Sequence, residues 1–245
     1  MKNKSSNTFK FKGVKAKTVW GIKDIVSFCS HQVVSHQFIE MVDYYITAFF
    51  FDKGEGISTD IQHQDILYIV KNGKAEIKVE KTCNDLIAGA CIMVPGGFPH
   101  SIIATEPLWI MQIAVGEIPK KVKRNGGYEM NKTDYIKNIE KASVHSLKGI
   151  VEYQEDKVTS LTLIQRSTFS TTIMAMDKGT GVGPHICEGD AMVVAIDGIG
   201  DVMIGDEHYQ VEEGQSIVMP SGIPHAVRGE KSQFKMLLIV SNSEM

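Results

Sequence analysis

The chain has 245 residues, of which 43% are hydrophobic and 22% charged, a composition typical of a globular protein and inconsistent with disorder of the whole chain. The formal net charge of −3 and the lack of a dense Lys/Arg stripe argue against nucleic acid as a partner. We find no apolar run long enough to cross a bilayer and no secretory signal pattern, so we expect a cytoplasmic protein without a membrane partner. The four cysteines show no C-x-x-C spacing, which predicts reduced thiols rather than a disulfide scaffold.

Residues 1–18 form a basic segment in which six lysines occur without any acidic residue. Within it, residues 8–12 alternate polar and apolar side chains, a pattern typical of a half-buried strand. A lone strand needs a sheet edge to satisfy its backbone groups. We therefore expect this segment to add to such an edge, either within the chain or across a homodimer.

A long internal repeat occupies most of the remaining sequence. Shifting the sequence by 125 positions aligns it with itself without a gap, starting near Val19 and ending near Val115. The identities fall mainly on turn-forming residues, for example Gly89 against Gly214. A period of this length is a whole domain rather than one unit of a solenoid. The predicted domains are residues 19–116 and residues 144–245.

Between the copies, residues 117–143 differ in character from the repeat. A basic stretch precedes an Asn-Gly-Gly sequence, which is typical of a flexible linker. Thr133 is then placed to cap a helix, in which Ile136 and Ile139 share one face. We predict one short linker helix over residues 134–141.

Inside each copy, short apolar or alternating runs are interrupted by Gly, Asn, Asp or Pro about every eight to twelve residues, which is typical of a sandwich or barrel. The fold class predicted from these runs is all-β. Asn72-Gly73 and the matching Asp197-Gly198 each separate two such runs and predict a β-hairpin at each place. Outside the linker, helical periodicity is confined to residues 22–28 and 147–153.

Two spaced motifs resemble those of a known superfamily. The pattern G-x5-P-x-G-x2-H occurs once in each copy and ends at His100 and at His225. In the second copy a G-x3-H-x-C pattern containing His185 and Cys187 precedes it. Together they resemble the paired motifs of the cupin superfamily, in particular small bacterial cupins without a characterised function. The resemblance implies a bicupin: two tandem double-stranded β-helix (cupin jelly-roll) barrels.

The resemblance also implies a partial metal site in the second copy. Residues two apart on a strand point to the same side, so the family's H-x-H pair directs two imidazoles into the barrel, where a Glu and a later His complete the site. Here His185 and His225 hold histidine positions, Cys187 replaces the other histidine, and the Glu position falls on Ala191. Asp190 is one residue out of register and should face the other side.

For His185, Cys187 and His225, the resemblance implies at most one divalent ion, which would be zinc, iron, nickel, copper or manganese. The alternative is that no metal binds. In that case the histidines cap the barrel mouth by hydrogen bonding, and Cys187 is a small core residue.

The same positions in the first copy carry Asp60, Gln62 and Ile66, and only His100 of the family's ligands is present. One carboxylate, one amide oxygen and one imidazole are a poorer set for a soft or borderline ion. We therefore expect a degenerate site in the first barrel.

Methionines are concentrated on the predicted strands of the second copy, where flexible thioethers would suit the wall of an adaptable apolar pocket. The candidate ligand-binding residues are Met174, Met176, Met192 and Met236. Two classes of function follow. The first is a small-molecule binder that uses the C-terminal barrel, while the N-terminal barrel is structural. The second is a metal-dependent enzyme of the dioxygenase or isomerase type that acts on a small, partly apolar substrate.

Overall fold

We describe the fold from a computed structural model, which describes residues 10–116 and 135–242. The described residues divide into two compact units. The N-terminal barrel comprises residues 22–116, 135–150 and 161–166, and the C-terminal barrel comprises residues 10–21, 151–160 and 167–242. Among the described residues, no helix has the length and apolar character needed to cross a membrane.

The N-terminal barrel is built almost entirely of antiparallel strands, as the short alternating runs predict. Its single α-helix, α1, is the four-residue turn Ile22–Ile25, and a 3-10 turn covers Leu147–Gly149. The strands are β2 (Val33–Glu40), β3 (Tyr44–Phe51), β4 (Gly56–Ile61), β5 (Asp65–Asn72), β6 (Lys74–Val79), β7 (Thr82–Ile87), β8 (Ala90–Val94), β9 (Pro99–Ala104), β10 (Leu108–Val115) and β11 (Val144–Ser146).

Two sheets form this barrel, one of six strands in the order β11-β8-β5-β10-β3-β2 and one of four in the order β4-β9-β6-β7. The alternation of side chains along β6 shows how the sequence produces this arrangement. Residues alternate between exposed and buried throughout β6, so every second side chain enters the core. The core contains large apolar side chains from both sheets, including Phe51, Ile66, Ile77 and Ile102.

The C-terminal barrel repeats this architecture with a longer central strand. The remaining strands of the described residues are β1 (Trp20–Gly21), β12 (Val158–Gln165), β13 (Phe169–Met176), β14 (Gly181–His185), β15 (Asp190–Ile204), β16 (Glu207–Glu212), β17 (Gln215–Met219), β18 (His225–Arg228) and β19 (Phe234–Ser241). The main sheet of this barrel has the order β1-β17-β15-β19-β13, and β14, β18 and β16 complete the other side through pairings with one another and with β15.

The predicted hairpins at Asn72-Gly73 and Asp197-Gly198 are wrong. β5 and β6 flank Gly73 but lie in different sheets, and Gly198 lies inside the continuous strand β15 beside a register shift. Each glycine has a positive φ, and a Cβ at either position would lie 2.0 Å from a backbone oxygen, that of Pro107 or of Gln233. The turn signal therefore marks a corner where the chain crosses between sheets, and glycine is needed because another backbone approaches closely.

Each barrel contains a short strand from outside its main run of sequence. In the C-terminal barrel, β1 pairs with β17, so that Trp20 lies opposite Ser216. In the N-terminal barrel, β11 pairs with β8, so that His145 lies opposite Cys91. The two pairings occupy equivalent places in the repeat. The expected strand over residues 8–12 is not formed at Lys10–Lys12, and the rest of that segment lies outside the described residues.

The predicted linker helix is absent over residues 135–141. This segment bends at Asn138, which has a φ of +45°, and Ile136 forms an isolated antiparallel bridge with Ile164. The backbone amide of Lys137 donates to the carbonyl of Leu163 and that of Gln165 donates to Tyr135, so a neighbouring strand satisfies groups that a helix would have paired internally. A helix of about eight residues is marginal by itself, and this strand contact replaces it. Thr133 and Asp134 lie outside the described residues.

The repeat is ungapped only as far as the second motif. In the last strand of each copy, Leu108 pairs with Phe51, whereas Phe234 pairs with Met176, the residue equivalent to Phe51. The second copy therefore contains one extra residue between its second motif and its final strand. Because of this insertion, residues of β10 and β19 are equivalent at an offset of 126 and not 125. Gln112, which pairs with Thr47, is therefore equivalent to Leu238, which pairs with Thr172.

Candidate metal site in the C-terminal barrel

The register of two strands brings His185 and His225 together. β14 ends at His185 and β18 begins at His225, and these two residues are direct partners across the antiparallel ladder. Their imidazole rings are 4.6 Å apart between centroids and meet edge to face. His225 is buried, whereas His185 is exposed at the mouth of the barrel.

Cys187 is held beside this pair by the turn of the second motif. The backbone amide of Gly222 donates to the carbonyl of Cys187 at 3.0 Å. Gly222 adopts a φ of +74°, a left-handed conformation that glycine reaches without strain. The same contact recurs in the N-terminal barrel, where the Gly97 amide donates to the Gln62 carbonyl at 2.7 Å. The P-x-G part of the motif thus fixes the backbone of the residue at the second ligand position.

His185, Cys187 and His225 lie together, as the sequence predicts, in an arrangement that could hold a metal ion. The candidate ligand atoms of these three residues all lie within 4.8 Å of one another. Two imidazole nitrogens and one sulfur are a donor set that zinc and copper accept in proteins. The residues therefore fit a metal ion with three protein ligands, and further coordination positions would be open to water or substrate.

The hydrogen bonds of the two histidines set their tautomers. Nδ1 of His185 contacts the Gly183 carbonyl at 3.0 Å, and Nδ1 of His225 contacts the Ile223 carbonyl at 2.9 Å. A carbonyl can only accept, so in both rings Nδ1 carries the proton and donates it. In the neutral ring, Nε2 then has the lone pair that ligation requires.

Burial keeps His225 in this ligating form. The pKa of His225 is lowered, first by burial, which disfavours the charged imidazolium, and further by the neighbouring His185; the Ile223 carbonyl acts in the opposite direction. His225 is therefore neutral at neutral pH. Burial also raises the pKa of the Cys187 thiol, so in the absence of an ion this residue is protonated and metal binding must displace its proton.

The position at which the family carries glutamate is occupied by Ala191, which points into the barrel core. Asp190 faces the other side, as its register predicts. Its carboxylate accepts the backbone amide of Ser221 at 2.8 Å and that of Lys10 at 2.8 Å. Asp190 is therefore a structural anchor for the motif turn. In the N-terminal barrel the Asp65 carboxylate likewise accepts the backbone amide of Gly96, at 3.0 Å. Asp65 and Asp190 are equivalent at the 125-residue offset, and this repetition could have indicated their structural role from the sequence.

In the N-terminal barrel, the phenol of Tyr68 engages the ring nitrogen of His100 that would face a metal. The Tyr68 hydroxyl lies 3.0 Å from Nε2 of His100, while Nδ1 contacts the Phe98 carbonyl at 3.3 Å. Burial, with Tyr45 and Asp60 nearby, raises the pKa of Tyr68, so the hydroxyl stays protonated and donates to Nε2. At the equivalent position the C-terminal barrel carries Val193, which offers no hydrogen bond to His225.

The other two degenerate positions belong to a second hydrogen-bonded chain. The Tyr45 hydroxyl donates to Oε1 of Gln62 at 2.6 Å and accepts from Nε2 of Gln112 at 3.2 Å. Gln62 in turn donates to the Asp60 carboxylate at 3.1 Å. Sequence reasoning identified Asp60 and Gln62 but missed Tyr45, Tyr68 and Gln112. These side chains thus satisfy one another's hydrogen-bonding groups in a chain that runs from the buried Gln112 to the exposed Asp60.

The four predicted ligand-binding methionines do not share one surface. Met176 and Met236 belong to the core cluster of the C-terminal barrel, and Met174 packs against that cluster while partly exposed. Met192 is buried but lies outside the cluster, because its neighbours Ala191 and Val193 are the residues of β15 that point inward. A ligand in the barrel would therefore meet Met174 before the other predicted residues.

Replacing Tyr68 with phenylalanine should lower the free energy of unfolding by about 1–3 kcal/mol, because it leaves Nε2 of His100 buried without a donor. Denaturant unfolding followed by the fluorescence of Trp109, which lies in the same barrel, measures this loss. Adding His100→Leu should restore most of it, since replacing both partners of a buried hydrogen bond by apolar groups removes the unpaired atom. If the free-energy losses of the two single variants simply add in the double variant, the Tyr68 hydroxyl and the His100 ring are not energetically coupled.

A jelly-roll barrel with histidines at the mouth, held by a G-x5-P-x-G-x2-H turn, defines a cupin-type protein. The model of the cupin domain matches residues 172–241. This match places a cupin domain in the C-terminal barrel, and the structural similarity described next shows that the same type of fold extends over both barrels. None of the curated proteins matches the chain.

Solved structures of other proteins are similar to this chain over most of its length. A cupin 2 conserved barrel domain protein from Leptotrichia buccalis is 27% identical, with a TM-score of 0.79 over 94% of this chain and 99% of that protein. Oxalate decarboxylase from Bacillus subtilis, a protein with Mn(II) centres, is 11% identical, with a TM-score of 0.54 over 95% and 79% of the two chains. Salicylate 1,2-dioxygenase from Pseudaminobacter salicylatoxidans is 13% identical, with a TM-score of 0.57 over 81% and 71%. At these identities the two enzymes share the fold.

Proposed function

We propose that the C-terminal barrel binds a small molecule at a metal ion held by His185, Cys187 and His225. The observation that carries the proposal is the convergence of their ligand atoms within 4.8 Å, with Nδ1 of both histidines engaged by backbone carbonyls. A constellation with both tautomers set for ligation supports a metal role over simple capping of the barrel mouth. With three protein ligands, the ion keeps positions for an exchangeable ligand.

The wall of the barrel indicates the kind of molecule that would bind. The side chains that form the core cluster are apolar, and Met174, Leu238 and Val240 pack against it while remaining partly accessible. We therefore propose a small, partly apolar ligand whose polar end meets the metal and whose apolar part meets this wall.

Metal content decides the proposal. Purified protein, and protein incubated with zinc, ferrous iron, copper, nickel or manganese and then desalted, should retain about one ion per chain with at least one of these metals. Protein that stays metal-free after every incubation would contradict the proposed site. In that case the histidines would instead cap the barrel mouth by hydrogen bonding.

The second candidate function is a metal-dependent enzyme of the dioxygenase or isomerase type. The open coordination positions favour it, because a catalytic metal needs room for a water or a substrate atom. Comparing ligand binding and turnover in metal-loaded and chelator-treated protein separates the two candidates. A binder retains the molecule unchanged, whereas an enzyme converts it only when the metal is present.

A further inference from the structure

The donor set of the site contains no carboxylate. Among the described residues, the group of potential ligands is limited to His185, Cys187 and His225. The nearest acidic residue in sequence, Asp190, is engaged with backbone amides on the opposite face of its strand. Manganese, calcium and magnesium prefer carboxylate, carbonyl and water oxygens, so this set selects against them. A thiolate with two imidazoles selects copper or zinc instead.

A thioether lies beside the missing carboxylate. Met219 is the cross-strand partner of Ala191 on the neighbouring strand β17, and both residues belong to the inward-facing core cluster. Paired side chains on one face of an antiparallel ladder have Cβ atoms about 5 Å apart. Because Ala191 is short, the space that glutamate fills in the family is next to the flexible Met219 side chain, which is 2% exposed. Thioethers bind Cu(I) and are poor partners for zinc.

The apolar surroundings favour an ion of low charge. The inner end of the site borders the core cluster, where a net charge is costly because the medium is poorly polarisable. Cu(I) with one thiolate and two neutral imidazoles forms a complex of zero net charge. Zinc with the same ligands carries a charge of +1, and so does any other divalent ion.

We infer that the ion held by His185, Cys187 and His225 is Cu(I), with Met219 as an additional soft ligand. This inference rests on the proposed metal site and commits it to one ion. It explains together three departures from the family pattern: the cysteine at a histidine position, the alanine at the glutamate position, and the thioether beside that alanine.

The test compares Cu(I) and zinc affinities of apo protein under anaerobic conditions, by competition with chromophoric chelators. Wild-type protein should bind one Cu(I) per chain, more tightly than zinc. Met219→Leu, a replacement of similar volume, should weaken Cu(I) binding by at least about tenfold, the lower end of what loss of an outer-shell partner costs at metal sites. It should leave zinc binding unchanged.

Met176→Leu is the matched control. Met176 is also fully buried in the cluster, but it pairs with Phe234 at the far end of the sheet, six residues along β13 from the level of Ala191, or about 20 Å away. This variant should leave both affinities unchanged. A loss of Cu(I) affinity equal to that of Met219→Leu would assign the effect to core packing and overturn the role of Met219.

X-ray absorption at the copper edge of Cu(I)-loaded wild type gives a second readout that requires no variant, and sulfur neighbours are expected. Cys187→His should keep metal binding but remove part of this sulfur signal and reverse the preference for Cu(I) over zinc. Tighter zinc than Cu(I) binding by wild type, or a copper shell without sulfur, would refute the copper inference while the metal site itself stands. Protein that binds neither of these ions, nor ferrous iron, nickel or manganese, would refute both the copper inference and the metal site.

Discussion

Replacing His185 with alanine should abolish metal binding, whereas replacing His100 with alanine should leave the metal content at about one ion per chain. Among the described residues, His185 is one of three His and Cys side chains that converge in the C-terminal barrel, and removing it leaves only Cys187 and His225 of that group. His100 already has both ring nitrogens engaged, by the Tyr68 hydroxyl and the Phe98 carbonyl. The comparison therefore tests whether the metal belongs to the C-terminal barrel and not to the N-terminal one.

Elemental analysis of the two variants beside wild type, after identical loading and desalting, gives the answer. Thermal unfolding of each variant checks that the barrels remain folded. Loss of metal from His100→Ala and not from His185→Ala would contradict the placement of the site in the C-terminal barrel. His225→Ala should behave as His185→Ala does, because both imidazoles are needed to surround one ion.

The sequence predicted the fold because the features that determine it are local. Strand alternation and the glycines and prolines of the second motif recur at one offset, so two copies of one all-β barrel follow from pattern alone. The trio His185, Cys187 and His225 was predictable for the same reason, since motif spacing fixes which strand positions point inward. The outward orientation of Asp190 follows from the same register and is also confirmed.

The features that sequence reasoning missed depend on contacts between distant strands. Tyr68 reaches His100 across 32 residues of sequence, and Met219 is placed beside Ala191 only by the pairing of β17 with β15. The spacing of residues within a short stretch of sequence predicts neither contact. The hairpins predicted at Asn72-Gly73 and Asp197-Gly198 failed for a related reason. Glycine is needed at both positions because the backbone of a residue distant in sequence approaches closely. The residues around each glycine do not indicate this approach.

The two barrels surround their equivalent motif histidines, His100 and His225, with different groups. A cupin interior that keeps the motif histidine must satisfy a buried ring nitrogen. In the first copy Tyr68 does so within the protein. In the second copy Val193 stands at that position, and the proposed ion fulfils the same role. The residue at this position of β5 or β15 therefore determines whether another side chain of the barrel engages Nε2 of the motif histidine.

Replacing Phe11 with alanine should lower the free energy of unfolding of the C-terminal barrel by about 3–5 kcal/mol, the usual cost of truncating a buried phenylalanine. Phe11 is only 1% exposed and belongs to the segment that completes this barrel. Beside it, the Lys10 amide donates to Asp190, and farther along, the Lys17 amide donates to the Val218 carbonyl. The segment thus contributes both core packing and backbone hydrogen bonds.

The chain has two tryptophans, and each reports on one barrel: Trp20 on the C-terminal unit and Trp109 on the N-terminal unit. In a Trp109→Phe background, denaturant unfolding followed by Trp20 fluorescence isolates the barrel that contains Phe11. Val42→Ala is the control, because Val42 is 76% exposed and its truncation should change the free energy of unfolding by no more than about 0.5 kcal/mol. If Phe11→Ala unfolds at the same denaturant concentration as this control, the segment before β1 does not stabilise the barrel, and its removal should then be tolerated as well.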